Sequence, residues 1–193
     1  MLYRAGRMRV FIGLGGNLGD PRGTFASAAA QLRRIGLVAR ASSLYRTAPR
    51  DMVDQEPFLN AAVELETELE PRDLLEELKR LELMLGRNPD GIRFGPRTID
   101  LDILSLDGRC VEDLDVRLIV PHPRLVERRF ALEPLAELAP GLRPWRNCAD
   151  VRRDVTVLDL LPSVADQDVQ RVEGPEWADP ASADWAGPIS RIH

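Results

Sequence analysis

Two hydrophobic periods alternate along the first 140 residues of the chain, and their order is the feature that most restricts its fold. Residues 9–15 place alternate apolar side chains on one face, which is the period of a strand. Asp20 followed by Pro21 is typical of a helix start, and Gly36 ends the helical spacing that follows. The same reasoning predicts strands at 9–15, 37–47, 58–66, 98–106, 109–113 and 116–120, and helices at 21–35, 71–86 and 124–139.

The first six elements have the order β-α-β-β-α-β within roughly 100 residues. That order is typical of a ferredoxin-like α+β sandwich with a largely antiparallel sheet, to which the later strands and helices are additions. Helices are expected to cover one face of the sheet. The other face is then left for ligands and loops.

Length and charge predict one domain over residues 1–161, followed by a flexible acidic tail over 162–193. The tail has six acidic residues, two arginines and no hydrophobic period. The chain carries a net charge of −5, nearly all of it in the tail, so the body is close to neutral. A neutral body with clustered arginines favours a small anionic ligand over nucleic acid. Two cysteines and the lack of a long apolar run predict a cytoplasmic protein without a membrane anchor.

The segment "RFGPRTIDLDIL" is the strongest chemical signal in the sequence. On a strand, Asp100 and Asp102 project from the same face about 6.6 Å apart. Two neighbouring carboxylates repel each other unless a cation lies between them, and Mg²⁺ prefers carboxylate oxygens. Charged residues at a solvated sheet edge are the alternative. Because Arg87 and Arg97 stand nearby and arginines bind phosphate, a metal–phosphate site is favoured.

The helix predicted at 71–86 has an acid on its apolar side. Glu82 falls within the leucine stripe, and Lys79 lies at its border. A carboxylate in that position is expected to have a partner or a ligand. An ion pair with a nearby arginine explains it as well as a ligand does.

Two further segments carry binding chemistry with a structural alternative for each. Phe58 and Asn60 share one face of a strand and suit a flat heterocycle, although Phe58 alone would more often be core. His122 lies between two prolines, where it could face phosphate or make a structural hydrogen bond. The segment "GLGGNLGD" lacks the spacing of a nucleotide-binding loop and is interpreted as a turn close to the site.

Taken together, these segments resemble the 6-hydroxymethyl-7,8-dihydropterin pyrophosphokinase family. The resemblance is carried by "RFGPRTIDLDIL", "FIGLGGNLGD", "SSLYRTAP", "PFLNAAVELET", "LLEELKRLELMLGR" and "VPHPRLVERRFALEPLAELAP", and it covers roughly residues 9–142. It implies a ferredoxin-like fold and transfer of the diphosphate of ATP to the pterin hydroxymethyl group, with AMP released. It also implies two Mg²⁺ ions and leaves association with other folate-pathway enzymes open.

The resemblance implies specific residue roles. Catalytic roles fall to Arg87, Arg97, Asp100 and Asp102, and both metal ions would be held by Asp100 and Asp102. Pterin contacts would come from Thr47, Ala48, Phe58, Asn60 and Phe130. ATP contacts would come from Lys79, Glu82, Arg97, Ile103, Arg117, His122 and Arg128. The chain departs from the usual family residues at Phe58, Lys79, Phe94 and Pro123.

Two other functions are compatible with parts of the pattern. A metal-dependent phosphohydrolase would use the same aspartate pair but gives no role to Phe58 and Asn60. A non-catalytic ferredoxin-like module that binds a small ligand would leave the aspartates solvated. Release of AMP only when the pterin is present would separate the transferase from both.

Overall fold

The computed structural model describes residues 6–49, 54–92, 95–107 and 109–180. In chain order its elements are β1 (Met8–Gly16), α1 (Pro21–Leu32), β2 (Leu37–Ala41), β3 (Leu44–Thr47), β4 (Phe58–Thr67), α2 (Pro71–Met84), β5 (Asp100–Ser105), β6 (Val111–Asp113), β7 (Leu118–Val120), α3 (Arg129–Leu138), α4 (Val157–Leu160) and β8 (Val169–Glu173). Short 3-10 turns lie at Leu125–Glu127, Leu161–Val164 and Pro175–Ala178.

The main sheet confirms the predicted fold class. Its strand order is β5-β1-β4-β3-β8, with β2 also paired to β4, and every pairing between these strands is antiparallel. When β2 and β3 are counted as one strand, the first four strands have the order 4-1-3-2 of the ferredoxin-like arrangement. Strands β6 and β7 form a separate hairpin beside it.

The strand predicted at 37–47 is interrupted, because two buried serines replace part of its ladder. The backbone N–H of Ser42 donates to Ala62 O, 2.9 Å away. The N–H of Ala62 donates in return to the Ser42 hydroxyl, also at 2.9 Å, instead of to a backbone carbonyl. The hydroxyl therefore keeps Ala62 paired while the chain bends between β2 and β3.

Helices lie on both faces of the sheet, which differs from the expectation of one covered face. Helices α1 and α2 pack over the face formed by Val10, Ile12 and other apolar strand residues. Helices α3 and α4 cover part of the opposite face, around Phe11 and Leu104. The part of that second face left uncovered by α3 and α4 is open to ligands.

Helix α2 confirms the predicted leucine stripe. Leu74, Leu78 and Leu81 are buried against the sheet, and Glu82 is buried with them. The chain turns away at Gly86, whose φ of 87° lies in the left-handed region that glycine tolerates. Across the described residues, no helix combines the length and the apolar content needed to cross a bilayer.

The C-terminal segment differs from the flexible tail expected over 162–193. Strand β8 pairs with β3, and Trp177 is fully buried with its ring centroid 6.0 Å from that of Phe25. The Trp177 indole N–H donates to Ser42 O at 2.8 Å. Residues 162–180 are therefore packed onto the domain, and the boundary expected at residue 161 does not separate packed from unpacked chain. Residues 181–193 lie outside the described residues.

A disulfide also attaches the later part of the chain to the sheet region. It joins Cys110, just before β6, to Cys148, in the loop before α4, with the two Cα atoms 5.7 Å apart. These cysteines are 38 residues apart in sequence. Their spacing therefore gave no sign of the pairing, which depends on how the two segments pack.

Candidate active site

A cavity of about 380 Å³ opens on the uncovered part of the second sheet face. It lies between the ends of β1, β3, β4 and β5 and the start of α3. All but three of the predicted site residues line it, namely Thr47, Ala48, Phe58, Asn60, Lys79, Arg87, Arg97, Asp100, Asp102, His122, Arg128 and Phe130. Residues far apart in sequence are thus brought to one place by the sheet.

Glycines in β1 form the floor of this cavity. Gly15 pairs with Asp100 on one side and Asn60 on the other, and Gly13 pairs with Asp102 in the same way. Strand positions two apart share a face, so both glycines lie on the face that carries the aspartates. Any larger residue would put a side chain between the acidic strand and β4. The strand predicted at 9–15 is confirmed and extends through Gly16, so the turn expected within "GLGGNLGD" begins only after Gly16.

The two aspartates differ in their surroundings. Arg97 donates to Asp100 Oδ2 at 2.8 Å, and Arg87 donates to Asp100 Oδ1. Burial alone would raise the pKa of Asp100, but these two guanidinium groups hold it below its usual value. Within the described residues, no hydrogen bond or ion pair joins the Asp102 carboxylate to another group. Burial, and then the charge of Asp100, raise the pKa of Asp102.

The donor set of this pair suits a hard cation. Asp102 is a part-buried carboxylate beside a second carboxylate, and a divalent ion is the natural partner for its charge. No group of three or more His, Cys, Asp or Glu side chains able to hold a metal occurs in the described part of the chain. A Mg²⁺ ion at Asp100 and Asp102 would therefore take its remaining ligands from water and from phosphate oxygens, as this ion commonly does.

Glu82 supports the acidic strand from behind. Its Oε1 accepts the backbone N–H of Leu101 at 2.7 Å and lies 2.6 Å from Arg87 Nη1. Lys79 Nζ donates to the same carboxylate at 2.9 Å. Burial raises the pKa of Glu82, although Lys79 and the Leu101 amide oppose that shift. Of the two interpretations left open by the sequence, the ion pair with a nearby arginine is the one observed.

An aromatic–amide wall faces the acidic pair across the glycine floor. Asn60 Nδ2 donates to Thr47 Oγ1 at 2.8 Å, which fixes the orientation of the buried amide. The Arg97 guanidinium carbon lies 5.4 Å from the ring centroid of Phe58. Arg97 therefore contacts both Phe58 and Asp100, and it links the aromatic wall to the acids.

The opposite wall comes from the segment that leads into α3. His122 Nδ1 accepts the backbone N–H of Arg124 at 3.1 Å, so the neutral ring carries its proton on Nε2. Burial lowers the pKa of His122, although the charge of Asp102 opposes this. The Arg128 guanidinium carbon lies 5.5 Å from the ring centroid of Phe130. This wall therefore offers cations and an aromatic face together.

Three predicted residues lie outside the cavity lining. Glu82 acts through Arg87 and Leu101, as described above. Ile103 points into the apolar core on the other face of the sheet, and Arg117 is exposed in the β6–β7 hairpin with a φ of 56°. Phe94 is outside the described residues.

Sequence reasoning missed several residues that shape the site. Asn17 is buried, accepts the backbone N–H of Arg97 at 2.9 Å and donates to Glu56 O at 2.9 Å. It thereby ties the segment before β5 to the loop before Phe58. Arg124 and Gln55 also line the cavity. The glycines at alternate positions of β1 were a readable signal, whereas Asn17 offered none because its partners are distant in sequence.

The site places acids, which favour a cation, beside arginines, which favour an anion. Phosphoryl-transfer enzymes bind a nucleotide with the same arrangement. The site and fold thus define an α+β phosphotransferase. Comparison with known proteins identifies the family. The model of the 7,8-dihydro-6-hydroxymethylpterin-pyrophosphokinase family matches residues 11–140, and the chain belongs to that family.

Several relatives support the assignment over most of the chain. The 2-amino-4-hydroxy-6-hydroxymethyldihydropteridine pyrophosphokinase of Methylorubrum extorquens is 42% identical over 168 residues, which are 86% of this chain and 99% of that protein. The Bacillus subtilis protein of the same name is 42% identical over 148 residues, 76% of this chain and 81% of the relative. A mitochondrial folate synthesis bifunctional protein of Pisum sativum is 48% identical over 130 residues, 67% of this chain but 25% of the relative.

Solved structures agree on the fold. A Plasmodium falciparum HPPK-DHPS structure with pteroate superposes with a TM-score of 0.65 at 13% identity, covering 83% of this chain and 45% of that chain. An HPPK-DHPS structure in complex with substrates gives a TM-score of 0.64 at 13% identity, covering 84% of this chain and 44% of that chain. The present chain thus spans less than half of those structures, and at this identity they bear on the fold alone.

Proposed function

We propose that this chain transfers the diphosphate of ATP to the hydroxymethyl group of 6-hydroxymethyl-7,8-dihydropterin, giving AMP and the pterin diphosphate, as a step of folate biosynthesis. One observation carries the proposal beyond family membership. The acidic pair and the aromatic–amide wall line a single cavity, separated only by the glycine floor of β1. A site for phosphates and a site for a flat heterocycle are thus adjacent.

In this proposal Asp100 and Asp102 hold two Mg²⁺ ions. When bound, the ions would supply positive charge to the phosphates of ATP and offset the repulsion between the carboxylates. Arg87 and Arg97 both donate to Asp100, and we assign these guanidinium groups to the transferred phosphates. The other ATP contacts are assigned to Lys79, His122 and Arg128, which line the cavity, and to Glu82, Ile103 and Arg117, which lie outside its lining.

The pterin is assigned to the space between the aromatic–amide wall and Phe130 at the start of α3. Phe58 and Phe130 both line the cavity and offer their ring faces to a flat heterocycle. Asn60, oriented by Thr47, offers hydrogen bonds to the edge of the ring, and the Thr47–Ala48 backbone adds others. No covalent intermediate with the protein is required, because transfer of this kind depends on positioning and on charge stabilisation.

We also propose where the protein is located and which molecules it binds. Bacterial relatives with the same family name support the expected cytoplasmic location, while the Pisum sativum relative is named as mitochondrial. Relatives named as bifunctional folate synthesis proteins support association with another folate-pathway enzyme. Small-molecule substrates, and neither nucleic acid nor membrane, are the expected ligands.

An assay of both AMP and inorganic phosphate tests the proposed reaction. The protein is incubated with ATP and Mg²⁺, with and without hydroxymethyldihydropterin. AMP formed only with the pterin is the expected result. Inorganic phosphate formed without the pterin would indicate a phosphohydrolase instead, and neither product from folded protein would leave the ligand-binding module as the better account.

A further inference from the structure

Helix α3 carries one wall of the cavity, yet its first turn is not capped by its own sequence. Helices usually begin with a side chain that accepts one of the first free backbone N–H groups. Arg128 occupies the N-cap position and makes no such hydrogen bond. The start of α3 is therefore secured by something outside the helix.

Gln167 from the C-terminal segment supplies the missing contact. Its Oε1 accepts the backbone N–H of Arg129 at 2.9 Å, and its Nε2 donates to Glu127 O at 2.9 Å. The two ends of one amide thus hold the residues on either side of Arg128. This acceptor comes from 38 residues further along the chain, so it is a cap provided by tertiary structure.

A second contact fastens the same two segments together. The Arg129 guanidinium donates to Gln167 O at 2.8 Å and to Ala165 O at 3.1 Å. Arg129 is also held by Glu133, one turn along α3, at 2.8 Å. The entry to α3 and residues 165–167 therefore form one hydrogen-bonded unit.

The residues held in this way flank those that face the cavity. Arg128 lies between the two backbone groups bound by Gln167, and Phe130 follows immediately. Both line the cavity, and they contact each other. Gln167 does not line the cavity, so any effect on ligands must pass through these two side chains.

We propose that Gln167 is a positioning residue, which fixes the start of α3 and thereby holds Phe130 and Arg128 in place for the pterin and ATP. The inference rests on the proposed function, because that function gives Phe130 and Arg128 their ligands. Gln167 lies beyond residue 140, where the match to the family model ends. The C-terminal segment thus contributes to the site without touching it.

Gln167→Met is the test variant, because methionine keeps the length of the side chain and loses both hydrogen bonds. Gln170→Met is its matched control. Gln170 belongs to β8, and its amide accepts from Arg46 at 2.9 Å on the surface, away from α3. We expect Gln167→Met to raise the KM for the pterin about 3- to 10-fold and to change kcat less, because only part of the free energy of the two lost hydrogen bonds acts on Phe130. Gln170→Met should leave both constants unchanged.

A double-mutant cycle with Phe130→Ala separates positioning from a general loss of stability. If Gln167 acts through Phe130, the loss caused by Gln167→Met should largely disappear when Phe130 is already alanine. Gln167→Glu, which keeps the acceptor for the Arg129 N–H, should restore part of the pterin KM. Additive losses in the cycle, or a pterin KM in Gln167→Met equal to that in Gln170→Met, would overturn the proposal.

Hydrogen exchange decides the anchoring step independently of catalysis. The amides of residues 129–132 should exchange several-fold faster in Gln167→Met than in the wild type or in Gln170→Met. If the wild type fails to make AMP but this acceleration occurs, the proposed function is wrong, while the role of Gln167 in fixing the start of α3 is supported. Unchanged exchange at these amides would show that Gln167 does not fix the start of α3, whatever the result of the activity assay.

Discussion

The backbone N–H of Leu101 donates a hydrogen bond of 2.7 Å to Glu82, so the residue between the two site aspartates is tied to helix α2. The same carboxylate binds Lys79 and Arg87, and Arg87 reaches Asp100. A buried acid on the apolar face of a helix thus connects the helix to the acidic strand. The position of Asp100 and Asp102 depends on this connection as well as on the sheet.

Replacing Glu82 tests that connection. Glu82→Ala should lower the free energy of unfolding by about 1–3 kcal/mol, because the buried N–H of Leu101 loses its acceptor. Glu82→Gln retains an amide oxygen for that N–H and should lose less. Urea unfolding monitored by circular dichroism measures both. Equal losses in the two variants would show that the hydrogen bond to Leu101 contributes little.

A second buried carboxylate makes stability depend on pH. Burial alone would raise the pKa of Glu64, but hydrogen bonds from Arg9 and Arg40 bring it below the ordinary value of 4.5. An acid with a lowered folded pKa stabilises the fold above its unfolded pKa, and this stabilisation is lost as the pH falls through the folded pKa. Glu64→Gln should therefore cost about 2 kcal/mol at pH 7 and progressively less below about pH 4.5.

Unfolding of the wild type and of Glu64→Gln over a series of pH values measures this difference. Glu77→Gln is a suitable control, because Glu77 pairs with Arg80 on the surface of α2. Surface pairs contribute little, so its cost should stay below about 0.5 kcal/mol at every pH. A cost for Glu64→Gln that stays constant from pH 7 to pH 3 would rule out the proposed linkage.

The close approach of β1 to the segment before β5 can be tested with one methyl group. A Cβ at Gly16 would lie 2.4 Å from the backbone oxygen of Thr98, next to Arg97. Gly16→Ala should therefore displace that segment, destabilise the protein by about 1–3 kcal/mol and lower kcat. Gly141→Ala, where a Cβ meets nothing within 4 Å, should change neither quantity. Thermal unfolding and AMP release measure both variants. Equal behaviour of the two variants would contradict this prediction.

The packing of the C-terminal segment leads to a clear expectation for Trp177. The side chain is fully buried against Phe25 and donates to Ser42 O. Trp177→Ala should cost about 3–5 kcal/mol in unfolding free energy, as large core truncations do. Val172→Ala, on the half-exposed side of β8, should cost far less. A Trp177→Ala variant as stable as the wild type would show that this segment does not contribute to the stability of the domain.

The sequence was most informative where a pattern repeats locally. The strand and helix periods predicted the order of elements, and the leucine stripe of α2 predicted that Glu82 is buried with a partner. The alternation around Asp100 and Asp102 predicted that they share a face. In the structure they pair with Gly15 and Gly13 of β1. These features depend on neighbours within a few residues.

Contacts between distant segments left no such pattern. Trp177 is one apolar residue in a polar stretch, and its partner Ser42 is 135 residues away. Gln167 and Asn17 are ordinary polar residues until the fold brings their backbone partners to them. The covering of the second sheet face by α3 and α4 likewise depends on how the chain returns after β7. Tertiary packing decides these features, and local composition does not report it.

The role proposed for Asp102 in metal-dependent transfer to a pterin can be tested by removing the charge of its carboxylate. Pterin-dependent release of AMP is followed in the wild type, in Asp102→Asn and in Asp113→Asn, a carboxylate in the β6–β7 hairpin, with folding checked by thermal unfolding. Asp102→Asn should lose at least about 100-fold in kcat while its fold persists, and Asp113→Asn should match the wild type. Chelation of Mg²⁺ should reduce wild-type turnover to the same low level. A folded Asp102→Asn that turns over like the wild type would show that the Asp102 carboxylate is not needed for transfer.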